Sequence, residues 1–312
     1  MNVRLLFVLV PVLVATAWVL ARGDGSEDDG SEDDGSPPSS GAGPSGNVSA
    51  APRRVVASIN RPRAVVWAVG DGGTDSPQAS RLASSIARAG ADRLLYLGDV
   101  YPEGTRADFE ENYAPNYGRL AARTAPTPGN HDAPMADQGY YPYWERALGA
   151  PLPPYYAFRV SGWQILSLSS VEEIDHDRRS PQLRWLDRTL APGGNCRIAF
   201  WHHPRFSAGT EHGDVPHVAP LWNALKGHAR IVLNGHEHDM QRFRPRAGIT
   251  EFVSGAGGAA LYPVVESDPR LRFSNDSRYG ALRLKLRRRR ADYSFVMSSG
   301  RVLDKGTITC RW

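Results

Sequence analysis

Cysteine is almost absent from this chain: Cys196 and Cys310 are the only two in 312 residues. Neither stands in the His- and Asp-bearing segments described below, so those segments offer no thiolates for structural zinc. No cysteine follows the apolar N-terminal run, which excludes a lipoprotein anchor of the bacterial kind. Each cysteine lies at the edge of a strand-like run, and two readings stay open, a disulfide that ties down the C-terminus or two separate thiols. Internal repeats are also missing, apart from a twice-written Ser-Glu-Asp-Asp-Gly unit near the N-terminus, so nothing indicates a repeat architecture. Long apolar runs are confined to one place, Leu5 to Ala21.

That run follows Arg4 and is about as long as the shortest membrane span, roughly 17 residues. Residues 1–22 therefore read as an export segment, either a cleaved signal peptide or an uncleaved membrane anchor. Residues 23–52 are acidic, then rich in Ser, Gly and Pro, a composition that cannot bury apolar surface and is expected to be a disordered linker. The globular domain is expected over residues 53–312, in an exported protein that is secreted or held at the extracytoplasmic face of the membrane. Without the first 50 residues, 35 basic and 26 acidic side chains remain, a net charge of +9. That balance favours anionic substrates. Nucleic acid is not the expected partner, because Arg287 to Arg290 follows Leu282, Leu284 and Leu286 at strand alternation and reads as a basic hairpin end.

Within the domain, short apolar strands alternate with helical patterns. Ala64 to Val69, a helix opened by Ser76-Pro77, and Leu94 to Leu97 form a βαβ start. The logic repeats with Trp163 to Leu168, a helix opened by Ser180-Pro181, and Cys196 to Trp201; a helix over His217 to Lys226 then leads into Ala229 to Leu233. From Thr250 onward strands follow one another with few helices. Such an order predicts an α/β sandwich with more than one sheet and a site formed by loops at the strand ends.

Five of those loops carry the chemistry. Asp71 and Asp99 each leave a buried strand through a glycine, at matched positions. Asn130 and His131 stand in Pro128-Gly129-Asn130-His131-Asp132, where an amide oxygen is a hard neutral ligand and the adjacent His-Asp pair resembles an oriented acid/base. His202 ends a strand before His203-Pro204, and His236 and His238 share a turn after Ile231-Val232-Leu233. Asp71, Asp99, Asn130, His202, His236 and His238 offer mixed nitrogen and oxygen donors, enough for two cations if one carboxylate bridges them. The set is too hard for copper storage.

The order Asp-x-Gly, Gly-Asp, Gly-Asn-His-Asp, His-x-Pro and Gly-His-x-His resembles the calcineurin-like metallophosphoesterase superfamily, and within it the purple acid phosphatases. That resemblance implies a four-layer α/β/β/α sandwich of two mixed sheets forming a single catalytic domain. It also implies a dinuclear site of iron, zinc or manganese, with Asp71 and His238 on the first metal, Asp99 bridging, and Asn130, His202 and His236 on the second. His131, oriented by Asp132, would meet the substrate, and His212 is the match for a further substrate histidine. Gly73 stands where the wider superfamily has a histidine ligand. The purple enzymes supply a tyrosine at Asp-x-x-Tyr, but here Asp99-Val100-Tyr101 is one residue short. In an extended segment such a shift turns a side chain to the opposite face, which puts a ferric tyrosinate at Tyr101 in doubt.

The implied activity is acid-phosphatase-like hydrolysis of small phosphomonoesters by in-line attack of a metal-activated water. A phosphodiesterase or nuclease using the same metal pair is the alternative reading, and a tethered binding protein with a degenerate site is a third. The aromatics Tyr140, Tyr141, Tyr143 and Trp144 either line a pocket or pack, packing being the expectation.

Overall fold

The computed structural model describes residues 55–171, 180–191 and 193–311. The export segment and linker expected over residues 1–52 lie outside the described residues. No helix among the described residues is long and apolar enough to cross a membrane.

Strand β1 (Arg63–Val69), β2 (Arg93–Tyr96) and β3 (Thr124–Pro126) run parallel at one side of a six-stranded sheet. Then come β4 (Tyr156–Val160), β5 (Trp163–Ser167), β6 (Arg197–Phe200), β7 (Ile231–Asn234), β8 (Met240–Phe243), β9 (Thr250–Ser254) and β10 (Leu271–Asn275). These seven form a second sheet in the order β10-β8-β9-β7-β6-β5-β4, with β5, β6, β7 and β9 parallel. The chain finishes on β11 (Gly280–Arg287), β12 (Arg290–Met297) and β13 (Val302–Thr309), an antiparallel meander that completes the first sheet in the order β13-β12-β11-β1-β2-β3.

Side-chain alternation shows how the layers stack. In β6, Ile198 and Phe200 join the large core with Leu282, Leu284 and Leu286 of β11, whereas Ala199, and Trp201 just after the strand, join a second core. In β7, Ile231 and Leu233 face the first core and Val232 the second. Successive strand residues point to opposite faces, so the second sheet is buried on both sides, which is why its strands read as continuous apolar runs. Its outer face is covered by the helices Pro181–Leu190 and Ala219–Leu225, through Leu183, Leu186, Leu190, Leu221 and Leu225. The helix Pro77–Arg88 buries Ala79, Leu82, Ala83 and Ile86 at helical spacing,. Two mixed sheets with helices outside them are the expected α/β/β/α sandwich.

Both helices predicted from Ser-Pro openings start as read. Ser76 Oγ accepts from Ala79 N and Ser180 Oγ accepts from Leu183 N, with proline at the first helical position in each,. Residues 106–123 form a further run of short helical turns, and Tyr140–Leu148 a helix not anticipated from the pattern. Tyr140, Tyr143 and Trp144 from that helix are buried with Phe109 and Tyr113 in an aromatic cluster, in which Phe109 and Tyr143 lie 4.9 Å apart and Tyr113 and Trp144 5.3 Å. These rings pack, as expected.

Cys196 and Cys310 form a disulfide. Cys196 immediately precedes β6 in one sheet and Cys310 follows β13 in the other, so the bond joins the two sheets. Flanking it, Asn195 N donates to Arg311 O and Arg311 N donates to Asn195 Oδ1, both at 2.7 Å.

Candidate metal centre

The parallel strands of both sheets deliver their C-terminal ends to one place. Asp71 follows β1, Asp99 follows β2, Asn130 follows β3, His202 follows β6, and His236 and His238 follow β7. Ends of parallel strands are where α/β proteins place their ligands, because the loops there are free of the sheet's own hydrogen bonding. Asp71, Asp99 and His236 all have φ between +60° and +72°. Left-handed backbone is unfavourable for these residues and persists only where the surroundings hold it. They do so here: Asp71 N donates to Gly98 O (3.0 Å), and His236 N donates to Asp71 Oδ2 (3.0 Å).

The donor atoms converge tightly. His202 Nε2 stands 2.9 Å from Asn130 Oδ1, 3.2 Å from His236 Nδ1 and 3.3 Å from Asp99 Oδ2. On the other side of Asp99, His238 Nε2 is 3.6 Å from Asp71 Oδ1. Asp71, Asp99 and His202 are almost wholly buried. All six residues expected as ligands are therefore brought together, with Asp99 between the two groups.

Two observations test whether this set fits a pair of cations. The Nδ1 atoms of His202 and His238 each lie 2.8 Å from a backbone carbonyl, Leu97 O and Ala260 O. A carbonyl only accepts, so in the neutral rings Nδ1 carries the proton and Nε2 is aimed inward as a lone pair, the outer-shell arrangement usual for metal-bound imidazole. Second, two carboxylates share one buried volume. Burial pushes Asp71 well above its ordinary value, and the Asp99 charge adds to that. Burial pushes Asp99 up as well, but His202 outweighs it and leaves Asp99 at about 2. Burial would lower His202, yet Asp99 and Asp71 hold it at about 9. Burial lowers His238 to about 4, keeping it the neutral donor that a cation requires. Without a cation, one carboxylate is thus driven toward its protonated form and the other leans on a protonated His202; positive charge between them would let both carboxylates ionise and His202 give up its Nε2 proton. The donors present fit two divalent or trivalent ions.

The shortened Asp99-Val100-Tyr101 segment does not turn its tyrosine away. Tyr101 Oη lies 2.7 Å from His238 Nε2 and 3.2 Å from both Asp71 Oδ1 and Asp99 Oδ2. The expectation failed because it assumed an extended segment, whereas Gly98 and Asp99 have φ of +99° and +69°, so simple alternation does not apply. Val100 then bridges to Gly73, and Tyr101 N donates to Gly73 O (2.8 Å). A Cβ at Gly73 would press against Val100. The ring of Tyr101 thus enters the same cluster where Gly73 supplies nothing.

The expected pairing of His131 with Asp132 is not formed. Asp132 is buried and its carboxylate accepts the backbone N–H groups of Asp99 (2.9 Å), Val100 (3.0 Å) and Gly129 (2.8 Å). Burial raises its pKa to about 7, with the neighbouring Asp99 charge adding to it. Its work is to lace the Asp99 and Asn130 loops together. Neighbours in a tight turn point their side chains apart, so adjacency in sequence was a poor guide. The His131 ring is held instead by Pro102 O through Nδ1 and lies 4.5 Å from the Tyr101 ring. Glycine is required at 129, because a Cβ there would collide with Asp99 Oδ1.

His212 is exposed but its ring lies on His236, at 4.1 Å and 24°. Tyr262, which no motif marked, stacks on His238 at 4.1 Å and 13° and meets His212 edge-on at 5.6 Å. No local pattern could have found it, because Tyr262 reaches the site from beyond β9 through the fold. His203 also borders the cluster, 4.4 Å from the His236 ring, and bonds Ser170 Oγ through Nδ1.

The family model for calcineurin-like phosphoesterases matches residues 64–240, more than half of the chain. The chain belongs to that family. Among curated proteins it is 28% identical over 190 residues to a probable cyclic nucleotide phosphodiesterase of Synechococcus sp., covering 57% of this chain and 69% of the relative. Among solved structures it resembles a purple acid phosphatase from yellow lupin seeds, with TM-score 0.65 and 17% identity, over 83% of this chain and 55% of that one. It also resembles a dimetal phosphatase from Danio rerio, with TM-score 0.55 and 14% identity, over 80% of this chain and 99% of that one. These structural likenesses establish the shared fold, and the phosphoesterase family accounts for the His/Asp groups able to hold metal ions.

The loop Arg205 to Val215, which carries His212, is secured by a buried carboxylate at its start. Glu251 of β9, 1% exposed, accepts Arg205 N (2.8 Å) and Phe206 N (3.3 Å) through Oε1. Burial raises Glu251 to about 8; Asp214 adds to this, while the two N–H groups and the Arg205 charge oppose it. The folded protein therefore keeps a proton that the unfolded chain releases near pH 4.5. The stabilisation this gives is full below pH 4.5 and is lost as pH rises to about 8, a contribution on the order of 3–5 kcal/mol. Glu251→Gln keeps the accepting oxygen and should flatten that slope. Melting temperatures from pH 5 to 8 are expected to fall more steeply for the wild type than for E251Q; parallel curves would refute the assignment.

Proposed function

We propose that the chain hydrolyses small phosphomonoesters at a two-cation centre held by Asp71, Asp99, Asn130, His202, His236 and His238. The observation that carries this reading is the convergence of these six donors at the strand ends, with inward nitrogens fixed by Leu97 O and Ala260 O. Two cations there would neutralise charge on the phosphoryl oxygens and make a bound water nucleophilic at ordinary pH. Tyr101 Oη stands as a seventh donor beside Asp71 and His238, in place of the side chain that Gly73 lacks.

The protein's own groups would do the rest. Asp132 locks the Asp99 and Asn130 loops by three backbone hydrogen bonds, so neither ligand needs to reorganise during the reaction,. His131, its ring fixed by Pro102 O, and His212, lying on His236, would bind the phosphoryl oxygens and orient the leaving group for in-line displacement,. The net charge of +9 over residues 51–312 favours anionic substrates,. Export of the protein is part of this proposal, and the Cys196–Cys310 disulfide supports an oxidising compartment,.

Phosphodiester hydrolysis is the second reading, favoured by the likeness to a probable cyclic nucleotide phosphodiesterase. Parallel assays of an aryl phosphate, a bis-aryl phosphate and a cyclic nucleotide decide between them. The expected result is higher kcat/KM on the monoester, abolished by chelation and restored by added metal. Preference for either diester would overturn the monoester assignment, and activity indifferent to chelation would overturn the metal centre. A visible absorption band in the same sample, lost in Tyr101→Phe, is expected if Tyr101 binds ferric iron.

A further inference from the structure

The turn that carries His236 and His238 also carries a carboxylate whose place is unusual. Glu237 is completely buried, and all of its side-chain hydrogen bonds among the described residues fall on one oxygen. Oε1 accepts the backbone N–H of His212 (3.0 Å), the backbone N–H of Gly213 (2.7 Å) and the hydroxyl of Ser207 (3.2 Å). The loop closes directly over it: a Cβ on Gly209 would collide with the Glu237 carboxylate. Ser207 Oγ in turn accepts Gly209 N (2.9 Å) and Gln241 Nε2 (3.2 Å). The loop bearing His212 is thereby hung from the turn bearing His236 and His238, and the His212 ring rests on the ring of His236.

We propose that Glu237 is a positioning residue which holds His212 over the centre, so that one turn supplies two metal-facing imidazoles and the anchor of a substrate-facing third. The proposal rests on the reading that His212 binds the phosphoryl group. The clamp acts on the backbone, since the amide of His212 is itself one of the groups held, and it thereby sets where the ring meets His236 and Tyr262. Misplacing a substrate contact by about 1 Å can cost roughly 100-fold, so the clamp matters without touching the substrate.

The geometry makes specific demands on substitutions. Because one oxygen does all the accepting, Glu237→Gln can keep every bond, whereas Glu237→Ala loses all three. Gly209→Ala leaves the carboxylate in place but displaces the loop from it.

The test is steady-state kinetics on an aryl phosphate, with metal content by elemental analysis, for E237A, E237Q, G209A, H212A and the double variant E237A/H212A. E237A and G209A are expected to lower kcat/KM by roughly 10- to 100-fold, mainly through KM, with metal content unchanged. E237Q should recover most of the loss, and E237A/H212A should be no worse than H212A. Loss of metal in E237A, failure of E237Q to recover activity, or multiplying defects in the double variant would each overturn the proposal. If E237A does not fold, E237Q and G209A carry the comparison. A kinetically silent H212A would remove the substrate role of His212 and the proposal with it. An impaired H212A beside a silent E237A would remove the clamp alone and leave the phosphoesterase reading intact.

Discussion

Asp99→Asn is expected to abolish turnover while leaving the fold in place. Asp99 Oδ1 accepts His131 N at 3.0 Å, and Oδ2 lies 3.3 Å from His202 Nε2 and 3.2 Å from Tyr101 Oη. An asparagine of the same shape can keep the bond to His131 N. What it removes is the anion between the two donor groups, and it sets an amide N–H or a weaker neutral oxygen in their midst. Loss of an outer-shell partner costs metal centres about 10- to 100-fold, so removal of the shared carboxylate should exceed about 100-fold in kcat. Metal content should fall with it. Circular dichroism and the melting transition should show a folded protein, because the backbone around residue 99 is held by Asp132 and Gly98 rather than by the lost charge. Near-wild-type rates on an aryl phosphate from folded D99N would refute the assignment of the centre.

The second large effect concerns the whole fold. The Cys196–Cys310 bond closes a separation of 114 residues, and constraining a loop of that size costs the unfolded chain on the order of 4–5 kcal/mol in closure entropy. Both sulfurs lie in the protected interior, and the bond ties β6 of one sheet to the end of β13 in the other. Replacing both cysteines by alanine is expected to lower stability by about 2–5 kcal/mol, read as a lower denaturant midpoint that no longer responds to reductant. The wild type should shift toward the variant when reduced. Equal midpoints for wild type, reduced wild type and variant would show that β13 is secured by its pairing to β12 alone.

Much of the centre was legible in the chain because its donors come in short segments that each follow a strand. A buried strand is an apolar run, a glycine lets the chain leave it, and the next polar residue is placed at the sheet's end. That logic located Asp71, Asp99, Asn130, His202, His236 and His238 without coordinates, and the Ser-Pro openings located the helices Pro77–Arg88 and Pro181–Leu190. Strands without an apolar run were harder. β3 is Thr-Ala-Pro and β8 Met-Gln-Arg-Phe, neither of them a continuous apolar run, and the helix Tyr140–Leu148 begins as Tyr-Tyr-Pro-Tyr-Trp, where aromatics obscure the helical period,.

By itself, then, the sequence determined the order of strands and ligand-bearing loops, and with it the family chemistry, since donor identity and strand-end placement are local properties. Tertiary structure decided whatever depends on direction. Left-handed backbone at Gly98 and Asp99 brings Tyr101 into the cluster, three amide groups draw Asp132 away from His131, and Glu237 reaches under a loop 24 residues distant to place His212. Tyr262 arrives on His238 from beyond the motifs altogether. A side chain's chemistry is written in its name, but the way it points is set by the backbone angles and hydrogen bonds that packing imposes.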